Sequence, residues 1–179
     1  MPRIAVAALL LAACSSVQVS TDYDPATDFA VLRAYAWLPR KAGASGDPRL
    51  DSSLLNERIR NAVEVQLAER GHRKVASGQA DFLVAYHTAV ERKIDVDTIY
   101  RGYGYGTHSW GWGAGHETVV YDYDQGTLVL DVLDPKAHRL LWRGSAKAVV
   151  SEESTPEKRT KLINEAVAKL LEQFPPEED

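Results

Sequence analysis

Apolar residues along the chain follow two spacings, and the spacing divides the sequence into elements. Between residues 51 and 70, Leu55, Ile59, Ala62, Val63 and Leu67 recur at steps of three and four. That stripe predicts an amphipathic helix. Asp51 or a following serine is placed to cap it, and Gly71 to end it. Leu162, Ile163, Ala166, Val167, Leu170 and Phe174 build a second stripe. Ser154 or Thr155 can cap that helix, Pro156 suits its first turn, and Pro175-Pro176 stops it. Elsewhere the pattern alternates or runs apolar, as strands do. Strands are expected at Val17–Thr21, Tyr35–Leu38, Phe82 to Val90, Val119–Tyr123, Thr127–Leu133 and Leu140–Val150. Gln125-Gly126 is expected to join the fourth to the fifth, and residues 134–138 to turn the fifth into the sixth. These connections are too short for parallel crossovers, so the last three strands should form an antiparallel meander. The expected fold is α+β, a largely antiparallel sheet with both helices packed on one face.

Composition adds a core and removes a partner. Hydrophobic residues make up 45% of the 179 residues and charged residues 26%, enough for one folded domain. The formal net charge is -4 and no broad basic face is visible. Nucleic acid is therefore not an expected partner, because phosphate neutralisation supplies most of such binding.

The first residues have a different character. Arg3 precedes an unbroken apolar run from Ile4 to Ala13, and Leu11-Ala12-Ala13-Cys14 places small residues beside a cysteine. The run is far shorter than the ~20 residues that span a bilayer. Positive end, apolar run and box together resemble the signal of bacterial lipoproteins. In that class the cysteine thiol takes a diacylglyceryl group and a peptidase cuts just before it. The expected organisation is a signal peptide over 1–13, a lipidated N-terminus and tether over 14–16, one α+β domain over 17–174, and a tail over 175–179. Cys14 is the single cysteine, so no intrachain disulfide or thiolate cluster is available. Acylation would consume that thiol and anchor the chain, each buried methylene contributing about 0.8 kcal/mol. Ser15 follows Cys14. Within the lipoprotein class, the absence of Asp there implies an outer-membrane destination, facing the periplasm. The implied partners are the membrane and the lipoprotein-processing machinery.

Several short patterns recur in an order that resembles domain of unknown function family 4136. They are Val19–Asp24, Asp28-Phe29, Tyr35-Ala36-Trp37, Ile59–Val63 with Leu67 and Gly71, and Ala80–Tyr86. Gly126-Thr127-Leu128, Asp131, Asp134 and Trp142-Arg143-Gly144 complete the series. The resemblance covers nearly all of residues 17–174 and implies a secreted lipoprotein, in agreement with the reading of Cys14. It brings no catalytic residue set. Read as residues, Asp22, Asp24 and Asp28 suit turn caps, Trp37 and Trp142 suit packing, and Asp131 and Asp134 suit a strand face and a turn.

One segment is chemically conspicuous. Residues 100–116 hold six of the twelve glycines and five aromatic side chains, Tyr100, Tyr103, Tyr105, Trp110 and Trp112. Such a loop offers rigid aromatic faces to a sugar, a peptide, an envelope protein or a headgroup layer, or it packs on the sheet as a hairpin. It lacks the spacing and following helix of a dinucleotide fingerprint. His108, His116 and Glu117 are a weak candidate metal set, since nothing in their spacing enforces a tetrahedral array. No nucleophile motif stands beside a base, so an envelope hydrolase ranks last, and no cofactor is implied. The expectation from sequence is a lipid-anchored envelope protein with a non-catalytic binding or scaffolding role. A small-ligand or cell-wall glycan binder using residues 100–116 is the alternative.

Overall fold

The computed structural model describes residues 17–39, 47, 49–100 and 116–176; over 95–100 and 116–121 it describes the backbone. Six strands, β1 (Gln18–Tyr23), β2 (Ala34–Trp37), β3 (Arg73–Lys74), β4 (Phe82–Tyr100), β5 (His116–Leu133) and β6 (Leu140–Val150), form one sheet in the order β1-β6-β5-β4-β2-β3. β4, β5 and β6 make an antiparallel meander in which β4 takes the place expected for a separate Val119–Tyr123 strand, and β1 pairs antiparallel with β6. β2 runs parallel to β3 and to β4, with helix α1 (Ser53–Glu69) in the crossover. Helix α2 (Pro156–Leu171) follows β6. The fold is α+β, a mostly antiparallel sheet with two helices packed against it.

Alternation decides which residues meet the helices. Trp142, Gly144 and Ala146 of β6 are buried, while Arg143 between them and Lys147 just beyond are exposed. Across the ladder, Val132, Leu130 and Leu128 are their β5 partners. Phe82, Val84 and Tyr86 extend this face through β4, and Tyr35 and Trp37 through β2. Ile59, Val63 and Leu67 of α1 and Val167, Leu170 and Leu171 of α2 complete the same buried cluster. Phe174, just past α2, sits among Trp142, Phe82, Phe29 and the His72 ring, with centroids 5.3 to 6.1 Å apart.

The helix ends follow their residues. Thr155 Oγ1 accepts from the Lys158 N–H at 3.3 Å, and Pro156 opens α2. Ser52 caps α1 without a side-chain bond. Gly71 ends it at a φ of 85°, the left-handed conformation that glycine adopts without a Cβ penalty. Arg70 joins the two C-terminal ends, its Nε donating to the Leu171 carbonyl at 2.9 Å and its Nη1 to the Gln66 carbonyl at 3.0 Å.

Two expectations need correction. The strands expected at Val119–Tyr123 and Thr127–Leu133 are one strand, β5, with Gln125-Gly126 inside it. Gly126 remains paired with Val90 on one side and Ala148 on the other. A Cβ at that position would lie 2.7 Å from Val150 Cγ1, so the glycine admits a neighbouring side chain and makes no turn. The strand expected to end near Val90 continues to Tyr100.

Candidate functional site

The extra length of β4 and β5 creates an arm. β6 leaves the ladder at Val150, the partner of Asp124. β4 and β5 continue as a pair from Lys93↔Tyr123 to Tyr100↔His116. At about 3.3 Å per residue the two-stranded arm reaches roughly 25 Å past the sheet. Near its base Arg92 Nε donates to both oxygens of Asp122, at 2.8 and 2.7 Å. That bond holds the Asp122 carboxyl below its usual range.

The arm places part of the conspicuous segment. Tyr100 and His116 are its last pair, and Glu117 is paired with Ile99. Tyr103, Tyr105, His108, Trp110 and Trp112 lie in the connection from 101 to 115, outside the described residues, as does Cys14. Among the described residues no three His, Cys, Asp or Glu side chains are grouped to hold a metal ion.

Beside the base of the arm is a cleft of about 470 Å³ between the N-terminal turns of the two helices. Leu55, Val90, Val150, Leu162 and Ile163 form its apolar floor. A narrower recess of about 120 Å³ continues from these residues to Leu128, Ala146, Ala166 and Val17. Arg49, Arg58, Lys158 and Arg159 line the mouth against the two carboxylates of Asp124 and Glu152. Arg49 is engaged by Asp47 and Glu152, and Arg159 donates to the Glu152 carbonyl. β1 starts toward this end too, Gln18 pairing with Lys147 three residues short of Val150. Arm base, cleft and N-terminal boundary thus gather at one end of the sheet.

The opposite face of the sheet carries a polar group built from Asp131, Arg143 and His87. Asp131 and Arg143 are cross-strand partners on β5 and β6. Arg143 donates from Nε and Nη2 to the two carboxylate oxygens at 2.6 and 2.7 Å. His87 Nε2 is 3.5 Å from Oδ2 on the other side. The bond to Asp131 raises the Arg143 guanidinium above its ordinary value. The two parallel bonds tie β5 to β6 and help to hold the strands in register.

Four of the remaining acids of the short patterns hold backbone, whereas Asp22, expected as a turn cap, lies within β1 opposite Arg143. Asp24 accepts from Ala26 N–H, Asp28 from Ala30, and Asp134 from Lys136 and Ala137. Asp81 Oδ2 accepts from Ala34 and Arg33 N–H at 2.8 and 3.1 Å, fixing the start of β2 beside the start of β4. Those two bonds hold its carboxyl below the usual range.

The fold and these sites define a small α+β module in which Asp24, Asp28, Asp81 and Asp134 bond to backbone and Asp131 to Arg143. Its sequence matches the domain of unknown function family DUF4136 over residues 19–176, and the chain belongs to that family. No curated protein matches it. Among solved structures it resembles a PDZ domain protein from Parabacteroides distasonis, with a TM-score of 0.55 and 13% identity over 92% of this chain. The match spans only 37% of that protein. It is also similar to the PelC dodecamer from Paraburkholderia phytofirmans, with a TM-score of 0.44 and 12% identity over 87% of this chain and 95% of that one. These likenesses concern the fold alone.

Proposed function

We propose that this protein is a lipid-anchored module of the bacterial envelope, facing the periplasm from the outer membrane, with a non-catalytic binding role. The arm is the observation that carries the binding role: a two-stranded extension past the last residue of β6, connected through a Gly/Tyr/Trp-rich stretch. A ribbon of that length has no core of its own to bury, and isolated hairpins are marginal in water. Contact with a partner surface gives it a purpose. The lipoprotein-type box ending at Cys14 supports the anchor, and Val17, three residues later, is already buried in the core. Anchor and arm would then leave from the same end of the sheet.

Intact-mass measurement of the membrane fraction tests the anchor. The expected product lacks residues 1–13 and carries acyl mass on Cys14, and Cys14→Ser leaves an unprocessed or soluble chain. A bare thiol on the native protein rejects it. Crosslinking pull-down tests the arm. Trp110→Ala with Trp112→Ala should leave folding intact and weaken capture at least severalfold, and unchanged capture removes the arm from the binding role. An arm that retains cell-wall glycan in place of an envelope protein would select the glycan-binding reading.

A further inference from the structure

We infer that the cleft between the helix N-termini is a binding site for a single-chain anionic amphiphile, a fatty acyl tail with a carboxylate or phosphate head. The inference concerns a site separate from the arm and stands whether or not Cys14 is acylated.

Shape and polarity select the tail. At about 470 Å³ the mouth has the size of a small-ligand pocket, and the recess extends it by about 120 Å³. The recess is narrow and walled almost entirely by apolar side chains, including Leu128, Ala146 and Ala166. A sugar or peptide backbone placed there would lose its hydrogen bonds to water without replacement. A slim hydrocarbon chain loses nothing. Thr127 and Lys147 border the wall, and within it Thr88 Oγ1 is buried without a hydrogen-bond partner among the described residues. It can donate to an ester or acid carbonyl.

Charge selects the head. The mouth has four cations against two carboxylates, in a chain whose formal net charge is -4. Two of the cations are bound by neighbouring groups, whereas Arg58 acts on Glu157 through its charge alone and the Lys158 ammonium makes no hydrogen bond or ion pair among the described residues. Lys158 and Arg159 stand with the single acid Glu157 at the start of α2, so cations outnumber acids where the helix dipole disfavours them. A local choice that opposes the local field points to an external anion that repays it.

The test uses the full chain in phosphatidylcholine nanodiscs and a palmitate carrying a mid-chain diazirine. Photolysis should label saturably the tryptic peptide Leu162–Lys169, which holds two floor residues, or Ala148–Lys158 beside it. Unlabelled palmitate or lysophosphatidylglycerol should compete at least tenfold better than palmityl alcohol or lysophosphatidylcholine, and the better of the two anions identifies the source. Leu162→Trp, which fills the floor, should reduce labelling at least tenfold. Should that variant not fold, Arg58→Glu with Lys158→Glu decides, because both side chains reach solvent; the expected loss is again tenfold. Labelling spread over other peptides, equal competition by the neutral chains, or full labelling of the charge-reversed variant overturns the site. Intact mass on the same preparation reads the anchor separately.

Discussion

Asp131 and Arg143 face each other across β5 and β6 with two parallel hydrogen bonds, the carboxylate 5% exposed and the guanidinium 49%. The asymmetry matters. Removing the arginine strands a carboxylate that water barely reaches, whereas removing the acid leaves a cation already half solvated. Arg143→Met should therefore cost about 2–3 kcal/mol, and Asp131→Asn distinctly less. Urea unfolding of both variants and of the double variant measures this as a cycle. Equal costs for the two single changes would show that the carboxylate is not what the pair protects.

Gly144 supports the indole of Trp142, two residues away on the same face. A Cβ there would meet the Trp142 ring and lie 2.9 Å from Leu170 Cδ2. Gly144→Ala should destabilise the protein by about 1–3 kcal/mol through forced repacking. The near-ultraviolet circular dichroism of the buried indole should change with it. An unchanged spectrum and unfolding midpoint would mean that α2 moves aside freely.

His72 gives the stability a pH dependence. Its ring is buried between Phe82 and Phe174, and its Nδ1 has no partner among the described residues. Burial lowers its pKa below the ordinary 6.5, outweighing the bond with the Leu32 backbone, and the Arg33 and Arg70 charges push the same way. The unfolded chain thus binds a proton that the folded chain refuses. Stability from this group is complete above pH 6.5 and declines as pH falls from there toward the lower folded value. Urea midpoints should drop between pH 7.5 and 5.5, before most carboxylates titrate, and His72→Phe should flatten the slope. A slope of the same size in that variant would assign the effect elsewhere.

Arg70 ties the C-terminal ends of both helices together. Arg70→Met keeps the aliphatic stem and removes the donors to Leu171 and Gln66. The expected cost is about 1–2 kcal/mol. Hydrogen exchange should rise first in the last turn of α2, and uniform exchange along that helix would contradict the link.

Much of this architecture is legible from local pattern. α2 announces itself through Thr155, Pro156 and an unbroken stripe, and α1 through its stripe and Gly71. Gly126 misleads because glycine serves both turns and close approach, and only the position of Val150, on another strand, distinguishes them. β3 is two residues long, too short for any period. Asp131 reads correctly as a strand-face group, but its burial depends on Arg143 lying beside it. The cleft is invisible for a similar reason, since its walls come from α1, α2 and the strand ends and share no motif. Its one local trace is the Lys158-Arg159 pair at the wrong end of a helix.

Because β4 and β5 pair only with each other beyond Asp124, their common length is uncoupled from the rest of the ladder. One residue added to each strand extends the hairpin by about 3.3 Å and leaves the pairing of Leu83 through Val90 untouched. The protein therefore owns an adjustable spacer: the reach of the paired strands can be reset by insertions or deletions, with no repacking of the interior.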